Sequence, residues 1–111
     1  MAQVNTQDLS GRIAGDLGLN QRAVGAVLEL LGDKNTVPFI ARYRKEVTAG
    51  LDLVALRSIE ERHEALVELE KRRAAILKSL EEQGIDDPAV LASISEAGTK
   101  RDLEDRYLPY R

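Results

Sequence analysis

The residues of this chain best suited to chemistry are cations placed close to aromatic rings. Three of them follow one another within four positions: Arg42, Arg44 and Lys45. Guanidinium and ammonium groups bind phosphate oxygens, so this cluster is a candidate contact for a nucleic-acid backbone. At helical spacing, Phe39, Ile40, Tyr43 and Val47 share one face, whereas Arg42 and Lys45 point away from it. The pattern predicts an aromatic cluster in the core and a basic edge in solvent.

A second basic run is formed by Lys71, Arg72 and Arg73. It is a weaker candidate for phosphate binding, because charge runs on helices are more often solvated faces. Glu68 precedes Arg72 by four residues, which is the favourable orientation for an ion pair within a helix. We therefore expect these cations to be mainly surface residues, with nucleic-acid contact as the alternative.

Residues for acid–base, nucleophilic or metal chemistry are scarce. The chain has one histidine, His63, and no cysteine. Carboxylates alternate with basic residues along the predicted helices, and the glycines fall at helix ends rather than in a phosphate-binding loop. His63 has no set of ligand residues around it that would suit a metal. We predict a protein without catalytic activity, cofactor or metal.

The elements that must position these residues are all helical. Apolar periodicity, caps and glycines predict an all-α fold, with a helix-turn-helix-like pair and a short aromatic helix followed by one long helix and two short C-terminal helices. In chain order this gives N-terminal helices in 1–50, the long helix in 51–84 and C-terminal helices in 85–111. Predicted N-caps are Asn20, Thr36, Asp52, Asp87 and Thr99. Predicted terminating residues are Gly18, Gly32 and Gly84, the last with Ile85 packing back on Leu80.

The first two helices have the spacing of a helix-turn-helix. Ala14 is small at the expected crossing, Gly18 supplies the turn, and Val24 faces inward. Base reading would fall to three polar residues at the start of the second helix: Asn20, Gln21 and Arg22. The remaining outer positions of that helix offer little to a DNA groove, which favours a packing role for the motif.

The long helix should extend about 45 Å, whereas one compact body of this chain length is roughly 35 Å across. We therefore expect part of its apolar seam to be left uncovered, at Ile76, Leu77 and Leu80. Near the C-terminus, Tyr107 and Tyr110 are large aromatic residues where chain ends are usually polar. We expect them to pack against a partner, most simply the remainder of a longer chain. Both features predict self-association of this fragment.

Two segments resemble a known family. The stretch from Val37 to Glu46 reads VPFIARYRKE and is followed by Thr48 and by Gly50-Leu51-Asp52, and residues 103–111 read LEDRYLPYR. Both are similar to the N-terminal region of the Tex family of bacterial transcription accessory proteins, and the likeness spans nearly the whole chain. Family members are much longer, so we expect this sequence to be an N-terminal fragment.

The resemblance implies a role in RNA metabolism. It also implies that an RNase H-like domain, helix–hairpin–helix elements and a C-terminal OB-fold RNA-binding domain accompany this region, with RNA or DNA held mainly by that last domain. The expected partners are nucleic acid, the rest of the chain and the transcription machinery. Two alternatives remain: a helix-turn-helix DNA-binding regulator dimerised by its long helix, and a helical adaptor that docks proteins.

Composition limits which of these functions the protein can have. The 111 residues carry a net charge of −3 and 4% aromatic residues, a mix that suits solvated helices and opposes strong, general binding of polyanions. No apolar run approaches the roughly 18 residues of a membrane span, and the absence of cysteine suits a reducing compartment. We expect a soluble cytoplasmic protein whose nucleic-acid binding is weak and independent of sequence.

Overall fold

The structure is a computed structural model that describes the backbone of residues 6–111 and the side chains from residue 9 onward. Within this range it contains helices and no strands, which confirms the predicted all-α fold. None of the helices in these residues is both long enough and apolar enough to cross a membrane. The α-helices are α1 (Thr6–Leu17), α2 (Gln21–Gly32), α3 (Val37–Tyr43), α4 (Leu53–Glu82), α5 (Pro88–Glu96) and α6 (Lys100–Tyr107), followed by a 3-10 turn (Leu108–Tyr110).

The helix starts follow the capping residues in the sequence. In each case a short polar side chain accepts a hydrogen bond from a backbone N–H of the first turn, which would otherwise lack a partner. All five predicted caps are confirmed: Asn20 to Ala23 (3.1 Å), Thr36 to Phe39 (3.3 Å), Asp52 to Ala55 (2.8 Å), Asp87 to Ala89 (2.9 Å) and Thr99 to Asp102 (3.1 Å).

The helix ends follow the predicted glycines. Gly18 and Gly84 take the left-handed conformation, with φ of 67° and 75°. After α4 the Ile85 N–H donates to the Leu80 carbonyl (2.9 Å), so the predicted Schellman end is confirmed. Gly32 is the last residue of α2, as predicted, and two residues later Lys34 adopts a positive φ of 69°. A lysine side chain tolerates this geometry at a cost that glycine would avoid.

The described chain divides within α4 into two compact units, one ending at Leu66 and one comprising Val67–Arg111. The first unit has an aliphatic core contributed by all four of its helices, and its most buried members have no exposed surface: Ile13, Val24, Val27, Ile40, Leu56 and Ile59. These are positions that the helical apolar pattern singles out. Burial of such side chains stabilises each by roughly 1.5–3 kcal/mol relative to exposure.

The predicted inward orientation of the aromatic cluster is wrong. Ile40 is fully buried, but Phe39, Tyr43 and Val47 are 38%, 54% and 46% exposed. In α3 the buried stripe is set by Val37 and Ile40, three residues apart. Phe39 lies about 100° and Tyr43 about 60° around the helix from Ile40, both on the side away from Val37, so their side chains project beside the core. Val47 follows the end of the helix, where helical spacing no longer applies.

The second unit is built by the C-terminal part of α4 with α5 and α6. Ile76, Leu80, Ile94 and Leu103 have no exposed surface, and Tyr107 is 8% exposed. The Tyr107 hydroxyl lies 2.7 Å from the Ser79 hydroxyl, which fixes α6 against α4. The expectation of an uncovered seam is therefore wrong at Ile76 and Leu80, and Leu77 is half-buried.

The reason is the division of the chain into two compact units rather than one. The buried apolar positions of α4 up to Leu66 belong to the first unit, and those from Leu69 onward belong to the second. The length of the long helix was therefore compared with the wrong quantity, the diameter of about 35 Å expected for one compact body. Self-association of the chain remains a prediction, now without the seam as its basis.

Candidate nucleic-acid interface

The predicted cations of α3 lie on the surface next to the two exposed rings. The Phe39 and Tyr43 ring centroids are 5.0 Å apart with planes tilted by 47°. The Arg42 guanidinium carbon lies 5.5 Å from the Tyr43 centroid, and that of Arg44 lies 5.7 Å from the Phe39 centroid. Lys45 is exposed directly after them. We call Phe39, Arg42, Tyr43, Arg44 and Lys45 the aromatic–basic patch.

The local fold explains why these side chains project together. Pro38 occupies the first turn of α3, and the helix ends after seven residues at Tyr43. The chain then turns tightly: the Gly50 N–H donates to the Lys45 carbonyl (2.8 Å), with Gly50 at a φ of 77°. Thr48 is fully buried and its hydroxyl donates to the same carbonyl (3.4 Å). The backbone that carries Lys45 is thereby held, while its side chain stays in solvent.

The cations of the aromatic–basic patch are not neutralised by ion pairs. Among the described residues, ion pairs are made by cations elsewhere in the chain, including Arg62, Arg72, Arg73, Arg106 and Arg111. No carboxylate lies within ion-pair distance of Arg42, Arg44 or Lys45 in this part of the chain. Glu46 is the one carboxylate between Val37 and Gly50. The segment therefore has local positive charge in a chain of negative net charge.

Arg72, from the second predicted cluster, is engaged within its own unit. Its Nε and Nη2 donate to the two oxygens of Glu104, the second at 3.0 Å, and its guanidinium carbon lies 5.6 Å from the Tyr107 centroid. The hydrogen bonds from Arg72 hold the pKa of the Glu104 carboxyl below its usual value. The expected Glu68–Arg72 pair is thus replaced by a contact with α6.

Arg73 joins α4 to the C-terminal end of α5. Its Nη1 donates to the carbonyls of Ile94 (2.6 Å) and Ser95 (3.0 Å), and its Nη2 donates to that of Ala97 (2.7 Å). Nε and Nη2 also reach the two oxygens of Glu70, at 3.1 and 3.0 Å. Terminal helix carbonyls lack internal partners and carry partial negative charge, so a cation is well placed there. Of the second basic run, Lys71 alone is exposed.

The three residues proposed for base reading lie at the start of α2. With Ser10 they line a shallow concavity of about 710 Å³. Asn20 Oδ1 accepts the hydrogen bond that caps α2. The Gln21 side chain lies against Gly11 of α1, where an added Cβ would come within 3.3 Å of Gln21 Nε2. Arg22 is exposed. Asn20 thus has a structural role in the described structure, and base contact by Gln21 and Arg22 remains a prediction.

A second concavity, of about 620 Å³, lies in the first unit and was not foreseen from the sequence. Its polar lining comes mainly from residues separated in sequence, including Lys34, Arg57, Glu60, His63 and Glu64. Only the packing of α2, α3 and α4 brings them together, so no local spacing could have indicated it. The described residues contain no group of His, Cys, Asp and Glu side chains arranged to hold a metal ion.

Comparison with known proteins identifies the family. Residues 7–81 match the Tex-like protein N-terminal domain. The chain is 50% identical over 99 residues to protein YhgF of Escherichia coli, covering 89% of this chain and 13% of that protein. It is 54% identical over 88 residues to the transcriptional accessory protein Tex of Neisseria gonorrhoeae, covering 79% of this chain and 12% of that protein.

A more distant relative comes from a eukaryote. The human S1 RNA-binding domain-containing protein 1 is 31% identical over 85 residues, covering 77% of this chain and 8% of that protein. The chain therefore spans a small part of the length of each relative that it matches. Since the family match covers more than half of its residues, the chain belongs to the Tex-like protein N-terminal domain family.

Proposed function

We propose that this chain is the helical N-terminal module of a Tex-like transcription accessory protein active in RNA metabolism. In this role it is a non-catalytic scaffold in the cytoplasm that also makes weak, sequence-independent contacts with RNA or DNA. The supporting comparisons are relatives whose names carry transcriptional accessory function and an S1 RNA-binding domain. Binding by the whole protein, to nucleic acid or to the transcription machinery, is part of the same proposal.

The observation that carries the nucleic-acid contact is the set of exposed, unpaired cations Arg42, Arg44 and Lys45. Phosphate oxygens would replace the counterions and water that surround these cations in the free chain. Arg72 and Arg73 are poorer candidates, because a phosphate would have to compete with Glu104, Glu70 and the carbonyls of α5. We therefore assign the contact to the aromatic–basic patch.

The contact is weak because the cations are few. Nonspecific binding through several phosphate contacts typically has a Kd of 10⁻⁴–10⁻⁶ M at physiological salt. Three cations in a chain of net charge −3 place this module near the weak end of that range, at roughly 10–100 μM. Phosphates have no sequence identity, so affinity should vary little between oligonucleotides of different sequence.

The test is fluorescence anisotropy with labelled single-stranded oligonucleotides at about 0.15 M salt. The variant Arg42→Glu/Lys45→Glu should weaken binding at least tenfold. The comparison variant Lys71→Glu/Lys78→Glu makes the same change in net charge on exposed positions of α4 and should weaken it much less. Sub-micromolar binding that Arg42→Glu/Lys45→Glu leaves unchanged would refute both the weakness and the assigned residues.

A further inference from the structure

Phe39 and Tyr43 are two aromatic side chains of the first unit that lie largely in solvent. Each leaves more than a third of its surface in solvent, 38% and 54%, although α3 buries Val37 and Ile40 beside them. The two rings contact each other, and each also lies beside one arginine. The exposed fractions are what remains after these contacts have covered part of each ring. Exposed aromatic rings grouped in this way mark interaction surfaces rather than accidents of folding.

The chemistry around the rings selects the partner. Unpaired nucleic-acid bases stack on aromatic side chains and on guanidinium planes, and their phosphates pair with adjacent cations. A single-stranded nucleic acid supplies flat rings and regularly spaced negative charges on one flexible ligand. An apolar protein surface would satisfy Phe39 and Tyr43, but it would leave Arg42, Arg44 and Lys45 without anions.

We propose that the aromatic–basic patch binds unpaired nucleic acid, with one or two bases stacked on Phe39 and Tyr43. This inference rests on the proposed function, since Arg42, Arg44 and Lys45 are the phosphate contacts in both. It adds a selectivity that phosphate contact alone lacks. In a duplex the base faces are covered by neighbouring base pairs, so only the phosphates remain accessible and binding is weaker.

The magnitude follows from stacking. Each base stacked on a protein ring contributes about 1–3 kcal/mol, which corresponds to a factor of about 5 to 150 in affinity. With one or two stacked bases, we expect single strands to bind at least about fivefold more tightly than a blunt duplex with the same number of phosphates. RNA and DNA single strands should behave alike, because rings and phosphates are common to both.

The experiment uses the purified chain and four labelled probes of about 20 nucleotides, long enough to exceed any single contact site. The probes are oligo(U), oligo(dT), an abasic strand with the same phosphates but no bases, and a blunt duplex. Phe39→Leu/Tyr43→Leu removes the rings and keeps apolar bulk. Arg42→Gln/Arg44→Gln/Lys45→Gln removes the charges. Val54→Ala, at a residue 73% exposed on α4, is the control for loss of an exposed apolar side chain.

We expect Phe39→Leu/Tyr43→Leu to lower affinity for oligo(U) and oligo(dT) to the level of the abasic strand, about fivefold or more, and to leave abasic and duplex binding unchanged. Val54→Ala should change nothing. Equal wild-type affinity for all four probes, lost only in the charge variant, would refute stacking and leave the proposed function intact. Absence of binding to every probe would refute both. Unchanged single-strand binding in Phe39→Leu/Tyr43→Leu would leave the rings to a protein partner and overturn the inference.

Discussion

Arg73 should be the cation on which the second unit depends most. Its side chain is 12% exposed and donates to three carbonyls at the end of α5 as well as to Glu70. Replacing it with alanine removes the hydrogen bonds to those carbonyls and to the half-buried Glu70 carboxylate. Hydrogen bonds that involve a charged group contribute about 1.5–3 kcal/mol each, but bonds that share one guanidinium are not additive.

We expect Arg73→Ala to lower the free energy of unfolding by about 3 kcal/mol, the upper end of the range for a single hydrogen bond to a charged group. That is a large fraction of the roughly 5–15 kcal/mol typical of a folded domain. Arg73→Lys should recover only part of the loss, because one ammonium cannot reach three carbonyls and both Glu70 oxygens in the same geometry.

The assay is urea unfolding followed by circular dichroism, with hydrogen exchange of the α5 amides as a local readout. Arg62→Ala is the matched control, because Arg62 also makes a two-bond contact with a carboxylate, Asp16, but at 41% and 46% exposure. An exposed pair of this kind contributes about 0–1 kcal/mol. Equal losses in Arg73→Ala and Arg62→Ala, or unchanged protection of α5, would refute the structural role of Arg73.

Further predictions concern pH, backbone conformation and association. The pKa of Glu104 is lowered in the folded chain, so its contribution to stability is present above the ordinary carboxyl pKa of 4.5 and is lost as pH falls through the lower folded value. Glu104→Gln should therefore flatten the fall in unfolding free energy below pH 4.5, and an unchanged profile would contradict the Arg72 contact. Gly84→Ala should destabilise by about 1 kcal/mol and Lys34→Gly should stabilise by a similar amount, since both positions have positive φ, and melting shifts of the opposite sign would contradict the assigned helix ends. Light scattering at high protein concentration tests self-association, and a species heavier than 12.3 kDa that survives dilution is the predicted result.

Much of the fold could be predicted from the sequence because its determinants are local. A capping side chain bonds within three residues of itself, as Asp52 does with Ala55, and a Schellman end needs only a residue that tolerates positive φ. Lys34 marks the limit of such signals, because propensity favours glycine over lysine at a positive φ.

The candidate site was harder to predict because burial depends on packing between elements. Sequence spacing identified Arg42, Arg44 and Lys45, but it assigned Phe39 and Tyr43 to the core. Helical geometry alone contained a signal against that assignment. Phe39 and Ile40 point about 100° apart around the helix axis, so a narrow buried face that includes Ile40 leaves Phe39 at its edge. Glu104, which pairs with Arg72, and the carbonyls that Arg73 contacts lie 21–32 residues away, and no local pattern could indicate them.

The central claim, that Arg42, Arg44 and Lys45 contact phosphates, is tested most directly by the salt dependence of single-strand binding. Each phosphate contact lowers log K by about 0.7 per unit of log salt concentration, so three contacts predict a slope of about −2. In Arg42→Gln/Lys45→Gln one contact remains, and the slope should fall to about −0.7. A wild-type slope near zero, or a slope that the two substitutions leave unchanged, would contradict the account.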